Sequence, residues 1–256
     1  MTKALIAALI LVLGVGIAIG TSVRAADAPK PEAQDWSFTG LFGTFDRAAL
    51  QRGFQVYKEV CSGCHGLKHV AYRNLSALGY TEDQIKAIAA TVEVQDGPND
   101  NGEMFMRKGR PSDRFKEPFP NENAARAANN GAYPPDLSVI AKARPHGIDY
   151  LYALLTKYKE EPPQGVQMSE GMFYNEAFGG GQIAMVPPLQ PESVQYQDGT
   201  KATVPQMAKD VTTFLAWAAE PELEERKSLG RSVLLFLLVL TALLYALKRK
   251  IWSELH

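Results

Sequence analysis

The sequence predicts a mainly α fold with long loops, followed by one C-terminal transmembrane helix. Three observations support this. Apolar residues recur at helical spacing over 46–61 and again over 203–218. No alternating strand and helix pattern accompanies them. Ser232 to Leu247 then runs for 16 residues without a charge. Composition is not specific, since 256 residues with 46% hydrophobic and 21% charged side chains suit one large domain or two small ones. A formal net charge of -1 excludes a general nucleic-acid binder, which needs a basic footprint to displace phosphate counterions. Repeats and low-complexity segments are absent.

In chain order, residues 1–25 read as a secretory signal peptide. Lys3 gives the positive start, Ala4 to Gly20 the apolar stretch, and Val23-Arg24-Ala25 the small-residue cleavage site, so the mature chain begins near Ala26. An uncleaved anchor is the alternative, because those 17 apolar residues lie near the lower limit for crossing a bilayer. The first helix is expected to start near Asp46, with Leu50, Phe54, Tyr57 and Cys61 on one stripe. Gly53 beside that stripe marks a place where a second helix crosses closely. The partner is expected where Thr203 and Gln206 form a capping box and Met207, Val211, Phe214 and Ala218 repeat the stripe.

The acidic run Glu220 to Glu225 and Arg226-Lys227 mark a linker over 221–231, followed by a membrane anchor over 232–250 and a short tail over 251–256. At about 1.5 Å per residue the uncharged run is roughly 24 Å long, slightly short of a bilayer core of about 30 Å. Arg231, Lys248 and Trp252 are suited to cover the difference. Basic residues on the two flanks balance, so orientation rests on the export signal. It places residues 26–220 on the periplasmic side of the cell inner membrane, with a single pass and the tail inside.

The two cysteines carry the chemistry. In an exporting context they would pair by default, yet Cys61-Ser62-Gly63-Cys64-His65 is the pattern in which two thiols bind haem vinyl groups and the adjacent His binds iron. A thioredoxin-like pair does not need the His and belongs in an alternating strand and helix pattern. A zinc site built from Cys61, Cys64, His65 and His69 lacks the usual two separated ligand pairs. The domain is therefore expected to be a c-type cytochrome with one covalently bound haem c.

The sixth iron position decides whether such a site binds ligands or only passes electrons. Met207 fits the helical stripe, His69 follows His65 too closely to reach the opposite face, and Met104 and Met106 lie in a charged, Gly-containing loop. His146 is a further candidate, and Met168 and Met172 flank a Ser-Glu-Gly turn and stay open. Met185 stands out, because Gly179-Gly180-Gly181 permits close backbone approach and Pro187-Pro188 stiffens the loop beyond it. A vacant position would instead suit a haem enzyme such as a peroxidase or nitrite reductase.

Several further stretches extend the pattern: Glu103-Met104-Phe105-Met106-Arg107, the segment Ala124 to Asp136 with Ala-Arg-Ala-Ala-Asn-Asn-Gly, Ile183-Ala184-Met185-Val186-Pro187-Pro188, and Trp217-Ala218-Ala219-Glu220-Pro221-Glu222. With them the chain resembles the cytochrome c1 family, the haem subunits of quinol:cytochrome c oxidoreductases, over nearly all of its mature length. The resemblance implies thioether links at Cys61 and Cys64 and axial ligation by His65 and Met185. It also implies Arg144 beside a haem propionate and Asn129, Tyr150, Pro134 and Pro135 near the haem. Implied partners are cytochrome b, the Rieske iron-sulfur protein as electron donor, a soluble cytochrome c as acceptor, and the membrane, with no bond chemistry on this chain. Some bacterial members carry an extra disulfide, for which no cysteine remains here. The acidic residues Glu93, Asp96, Asp100 and Glu103 are suited to attract a basic cytochrome c, although an ordinary solvated loop explains them as well.

Overall fold

The computed structural model describes residues 29–253. The signal peptide expected over 1–25 and the last three residues of the expected tail lie outside the described residues. Helix α1, Arg47–Val56, starts where Asp46 accepts the N–H groups of Ala48 at 2.9 Å and Ala49 at 3.3 Å. It buries Leu50, Gly53, Phe54 and Val56. The chain then widens into a π-helical turn, Tyr57–Cys61, in which Ser62 N–H donates to the Tyr57 carbonyl at 2.8 Å.

A 3₁₀ segment, Tyr72–Leu78, leads into α2, Glu82–Ala89, whose start is closed by a reciprocal capping box between Thr81 and Gln84. Strands β1, Glu93–Asp96, and β2, Phe105–Lys108, form an antiparallel hairpin with Glu93 opposite Lys108. Next come α3, Glu122–Ala128, and α4, Gly147–Thr156. A second small hairpin pairs β3, Phe173–Tyr174, with β4, Gln182–Ile183. Two helices close the chain, α5, Val204–Ala219, and α6, Leu223–Ser253.

The core is organised by α1 crossing α5, with α4 also packed on α5. At the crossing, a Cβ added to Gly53 would lie 2.1 Å from the Asp210 carbonyl oxygen, so only glycine admits this approach. Phe54 and Tyr57 each meet Phe214 at a ring-centroid distance of 5.7 Å, and Trp217 continues the cluster. The Arg52 guanidinium grips Asp210 through two bonds of 2.9 and 3.0 Å, although Asp210 is only 1% exposed. The exposed Asp198 binds the same guanidinium at 2.8 Å, and burial of the Asp210 charge is tolerable because the guanidinium fork satisfies its carboxylate.

That ion pair alters the cap expected at α5. Thr203 Oγ1 accepts the Gln206 N–H at 3.3 Å, but the Gln206 side chain does not reach back to Thr203; its amide donates to Asp210 at 3.0 Å. The Thr203 N–H is satisfied instead by the Lys201 carbonyl. Holding the amide nitrogen on the buried carboxylate keeps the Gln206 oxygen away from the Thr203 N–H, so only half of the box forms.

The segment expected as a linker, 221–231, is helical from Leu223 and continuous with the apolar run, because after Pro221 it holds no proline and a single glycine, Gly230, among residues that favour a helix. With 31 residues, α6 is about 46 Å long at 1.5 Å per residue. Its apolar stretch is entirely exposed and is long enough for a single membrane span. The N-terminal segment is tied to its first two turns. Glu224 accepts the Phe45 N–H at 2.7 Å and binds Arg47 at 2.5 Å. Lys227 donates to the carbonyls of Phe38 at 2.6 Å and Gly43 at 3.1 Å, and Arg231 donates to the Leu41 carbonyl at 3.1 Å.

Candidate haem site

The π-helical turn carries the apolar face of α1 directly into the cysteine motif. Cys61 is half-buried against the core, and its carbonyl accepts the N–H groups of Cys64 at 3.1 Å and His65 at 2.9 Å, which curls the motif into one turn. Cys64 is exposed, and the two sulfurs are not joined. Burial, with a smaller contribution from Cys64, pushes the Cys61 thiol up to about 12. A redox-active pair needs the opposite shift, since the thiolate is the nucleophile. No group of three or more His, Cys, Asp or Glu side chains converges as a metal cage among the described residues, so the zinc arrangement around His69 finds no support.

His65 is held from two sides. The Tyr57 hydroxyl donates to its carbonyl at 3.1 Å, and its ring Nδ1 lies 2.7 Å from the Pro135 carbonyl oxygen. A carbonyl only accepts, so the proton sits on Nδ1 and the Nε2 lone pair is left for a metal. Burial lowers the imidazole pKa despite the Pro135 bond and Asp136, which keeps the ring neutral. A neutral imidazole with its second nitrogen fixed by a backbone carbonyl is what an iron ligand requires. Two thiols at the covalent spacing and this tautomer therefore fit a haem.

The Pro135 carbonyl is itself positioned by a ladder between 66–69 and 136–138. Leu137 N–H donates to the Gly66 carbonyl at 2.9 Å, Lys68 N–H to Asp136 at 2.9 Å, and His69 N–H to the Ser138 hydroxyl at 3.0 Å. Asp136 also accepts the Ser138 N–H at 3.0 Å. Burial pushes the Asp136 pKa upward, but these N–H bonds outweigh it and hold the carboxyl below its ordinary range. Sequence reading reached Pro134 and Pro135 only through the family resemblance and missed Asp136 and Ser138. The signal available was Asp136-Leu137-Ser138 after two prolines, a side-chain turn stabilised by its own backbone.

Met185 lies half-buried in the loop after β4, and its carbonyl accepts the Tyr158 hydroxyl at 3.0 Å. Tyr158 pairs with Asn175 in an isolated antiparallel bridge, and the fully buried Asn175 donates to the Leu154 carbonyl at 2.8 Å and the Gly181 carbonyl at 2.9 Å. The loop is thereby attached to the end of α4. Burial raises the Tyr158 hydroxyl pKa, with Tyr150 adding to it, so both remain neutral donors. Burial also raises Tyr150, while Arg144 pulls it the other way, placing the Arg144 charge near that ring.

Arg144 is exposed, donates to the Ala143 carbonyl at 3.0 Å, and has no salt bridge among the described residues. Asn129 closes α3 by donating to the Ala125 carbonyl at 2.7 Å; Pro134 is half-buried and Pro135 exposed. The other methionines lie elsewhere. Met207 is fully buried, Met104 just before β2 and Met106 within it are exposed to solvent, and Met168 and Met172 line an open cleft of about 540 Å³ with Tyr158, Tyr174 and Pro187. That cleft includes none of Cys61, Cys64 and His65. His146 takes a left-handed conformation before α4. Of the four acidic residues expected to attract a partner, Asp96 is bound by Arg107, which also grips Asp113 at 2.6 Å. Glu93 faces Lys108 across the hairpin.

The chain is also similar in sequence to known proteins. Residues 36–255 match the model of the cytochrome C1 family. The chain is 51% identical to cytochrome c1 of Rhodospirillum rubrum over 98% of its own length and 97% of that protein. It is 53% identical to the mitochondrial cytochrome c1-2 heme protein of Solanum tuberosum, covering 86% of this chain and 84% of that one. It is 50% identical to the cytochrome b/c1 protein of Bradyrhizobium diazoefficiens over 89% of this chain, which spans 36% of that longer protein.

Proposed function

The chain belongs to the cytochrome c1 family, and on that premise we propose that it is the haem-carrying electron-transfer subunit of a quinol:cytochrome c oxidoreductase. One haem c would be held by thioether links at Cys61 and Cys64, with His65 and Met185 to bind its iron and Arg144 to meet a propionate. Asn129, Tyr150, Pro134 and Pro135 line the site. The observation that carries this reading is the 2.7 Å bond from His65 Nδ1 to the Pro135 carbonyl, which leaves Nε2 ready for iron.

When bound, the haem supplies one-electron exchange between its ferric and ferrous forms. The protein's own contribution is positional and electrostatic. Tyr57, Pro135 and the Asp136 ladder fix the His65 ring and its tautomer; Tyr158 and the β3–β4 hairpin hold the Met185 backbone. Ligation by both His65 and Met185 would raise the reduction potential and suit the chain to passing electrons without bond chemistry. Electrons come from the Rieske iron-sulfur protein and leave to a soluble cytochrome c, while cytochrome b is the membrane partner. The cytochrome b/c1 name of the Bradyrhizobium relative supports that last association. The haem domain faces the periplasm and α6 crosses the cell inner membrane once.

Replacing Met185 with Leu tests the ligation. The expected result is a lowered reduction potential and carbon monoxide binding by the reduced variant; an unchanged optical spectrum and potential rules Met185 out. Purification through the intact α6 tests the complex, and absence of cytochrome b and iron-sulfur centres from the isolate rules out that assignment while leaving the haem site standing.

A further inference from the structure

Beyond the haem site, the turn between Trp36 and Phe45 has an arrangement that the electron-transfer role does not use. Its base is buried, with Trp36, Phe38 and Phe45 in the core, yet its tip exposes Leu41 at 56% and Phe42 at 75%. The tip is adjacent to α6 where the apolar run begins. The Arg231 guanidinium donates to the Leu41 carbonyl and lies 5.5 Å over the Phe42 ring, and Arg231 is the last charge before 16 uncharged residues. The five residues from Thr39 to Gly43 carry no charge. We propose that this turn is a second membrane contact, which inserts Leu41 and Phe42 into the lipid surface beside the start of α6.

Two features select a lipid surface as the occupant. The first is continuity, because the exposed pair extends the apolar surface of α6 sideways at the depth where that surface starts. The second is the backbone. Three carbonyls of the turn, on Phe38, Leu41 and Gly43, are already satisfied by Lys227 and Arg231. A backbone entering the headgroup and acyl boundary must meet its polar groups internally, and a solvated turn has no such need. Insertion by about 5–10 Å, as for interfacial helices, would cover both side chains and leave the buried base of the turn in place.

The test uses the full chain, with any subunits that accompany it, in vesicles of phosphatidylcholine and phosphatidylglycerol. Nitroxide labels are placed at Leu41→Cys and Phe42→Cys, with Leu238→Cys in the span and Asn101→Cys on the β1–β2 hairpin as references and the unsubstituted chain as the labelling blank. The ratio of oxygen to nickel-chelate accessibility should be several-fold higher at 41 and 42 than at 101, approaching that at 238. A ratio at 41 and 42 equal to that at 101, with lipid values at 238, overturns the proposal while leaving the span intact. Exclusion of both reagents at 41 and 42 means a protein partner covers the turn and also overturns it. Aqueous values at 238 would overturn the proposal together with the span itself.

Discussion

Replacing Gly53 with Ala would place a methyl carbon 2.1 Å from the Asp210 carbonyl oxygen and 2.8 Å from Phe214 Cβ. Ordinary contact begins near 3.4 Å, and the obstructing oxygen is backbone, so it cannot rotate away. Helices α1 and α5 would have to part by about 1 Å, a gap at which roughly a quarter to a half of each dispersion contact is lost. Overpacking typically costs about 1–3 kcal/mol, and a clash with backbone belongs at or above the top of that range. Alanine recovers about 1 kcal/mol of helix propensity. The expected net loss is about 2 kcal/mol, which for a domain of this size lowers the melting temperature by about 4–8 °C. Thermal unfolding of the full chain in detergent, followed by circular dichroism, measures it. Gly230→Ala is the control, because a Cβ there meets nothing within 4 Å and should leave the transition unchanged or slightly raised. A melting temperature for Gly53→Ala at or above that of the parent would refute the close crossing.

Asp136→Ala removes the acceptor of two backbone N–H groups and should cost about 1–3 kcal/mol; it should also shift the reduction potential through His65, and parental values for both quantities would show that the ladder does not position the ligand. Gly181 has φ +73° and a Cβ there would lie 2.8 Å from the Tyr174 ring. Gly181→Ala is therefore expected to lose about 1–3 kcal/mol and to lower the potential by loosening the Met185 loop; an unperturbed melt and potential would count against it. Asp113 is held at about 2 by Arg107, and Asp198 at about 2 by the Thr200 N–H and Arg52, both below the ordinary 3.8. Folded values below unfolded ones mean that this stability is complete above about pH 4 and is lost as the pH falls toward 2. The Asp113→Asn, Asp198→Asn double variant should flatten the acid limb of the stability curve, and a limb identical to the parent's would contradict the assignment.

Local periodicity was enough to place α1, which leads into the cysteine motif, and α5, which packs against it. The cap at Asp46, the stripe through Leu50 and Phe54, the close approach at Gly53 and the burial of Met207 all follow from 3.6-residue spacing and the absence of a glycine Cβ. What the sequence did not disclose depends on contacts between distant segments. The Pro135 carbonyl reaches His65 across 70 positions, and no side chain marks a backbone acceptor. Tyr158 reaches the Met185 carbonyl across 27 positions for the same reason. Gln206 has the position of half a local cap, but its amide nitrogen donates to the Asp210 carboxylate, itself ion-paired with the distant Arg52, and this holds the side chain away from the Thr203 N–H. Met104 and Met106 were correctly read as exposed, while the hairpin that holds them needed the Arg107 pairing with Asp96 and Asp113 to be visible.

Glu224, Lys227 and Arg231 lie at intervals of three and four residues and so share one side of α6, and each is fastened to the segment between Phe38 and Arg47. Mechanically the helix is a cantilever clamped over two turns, with no free joint between its membrane-length portion and the core. Thermal tilting of the domain is then coupled to tilting of the helix in the bilayer, which is stiffer than a flexible tether. The domain therefore keeps a set height and heading relative to α6.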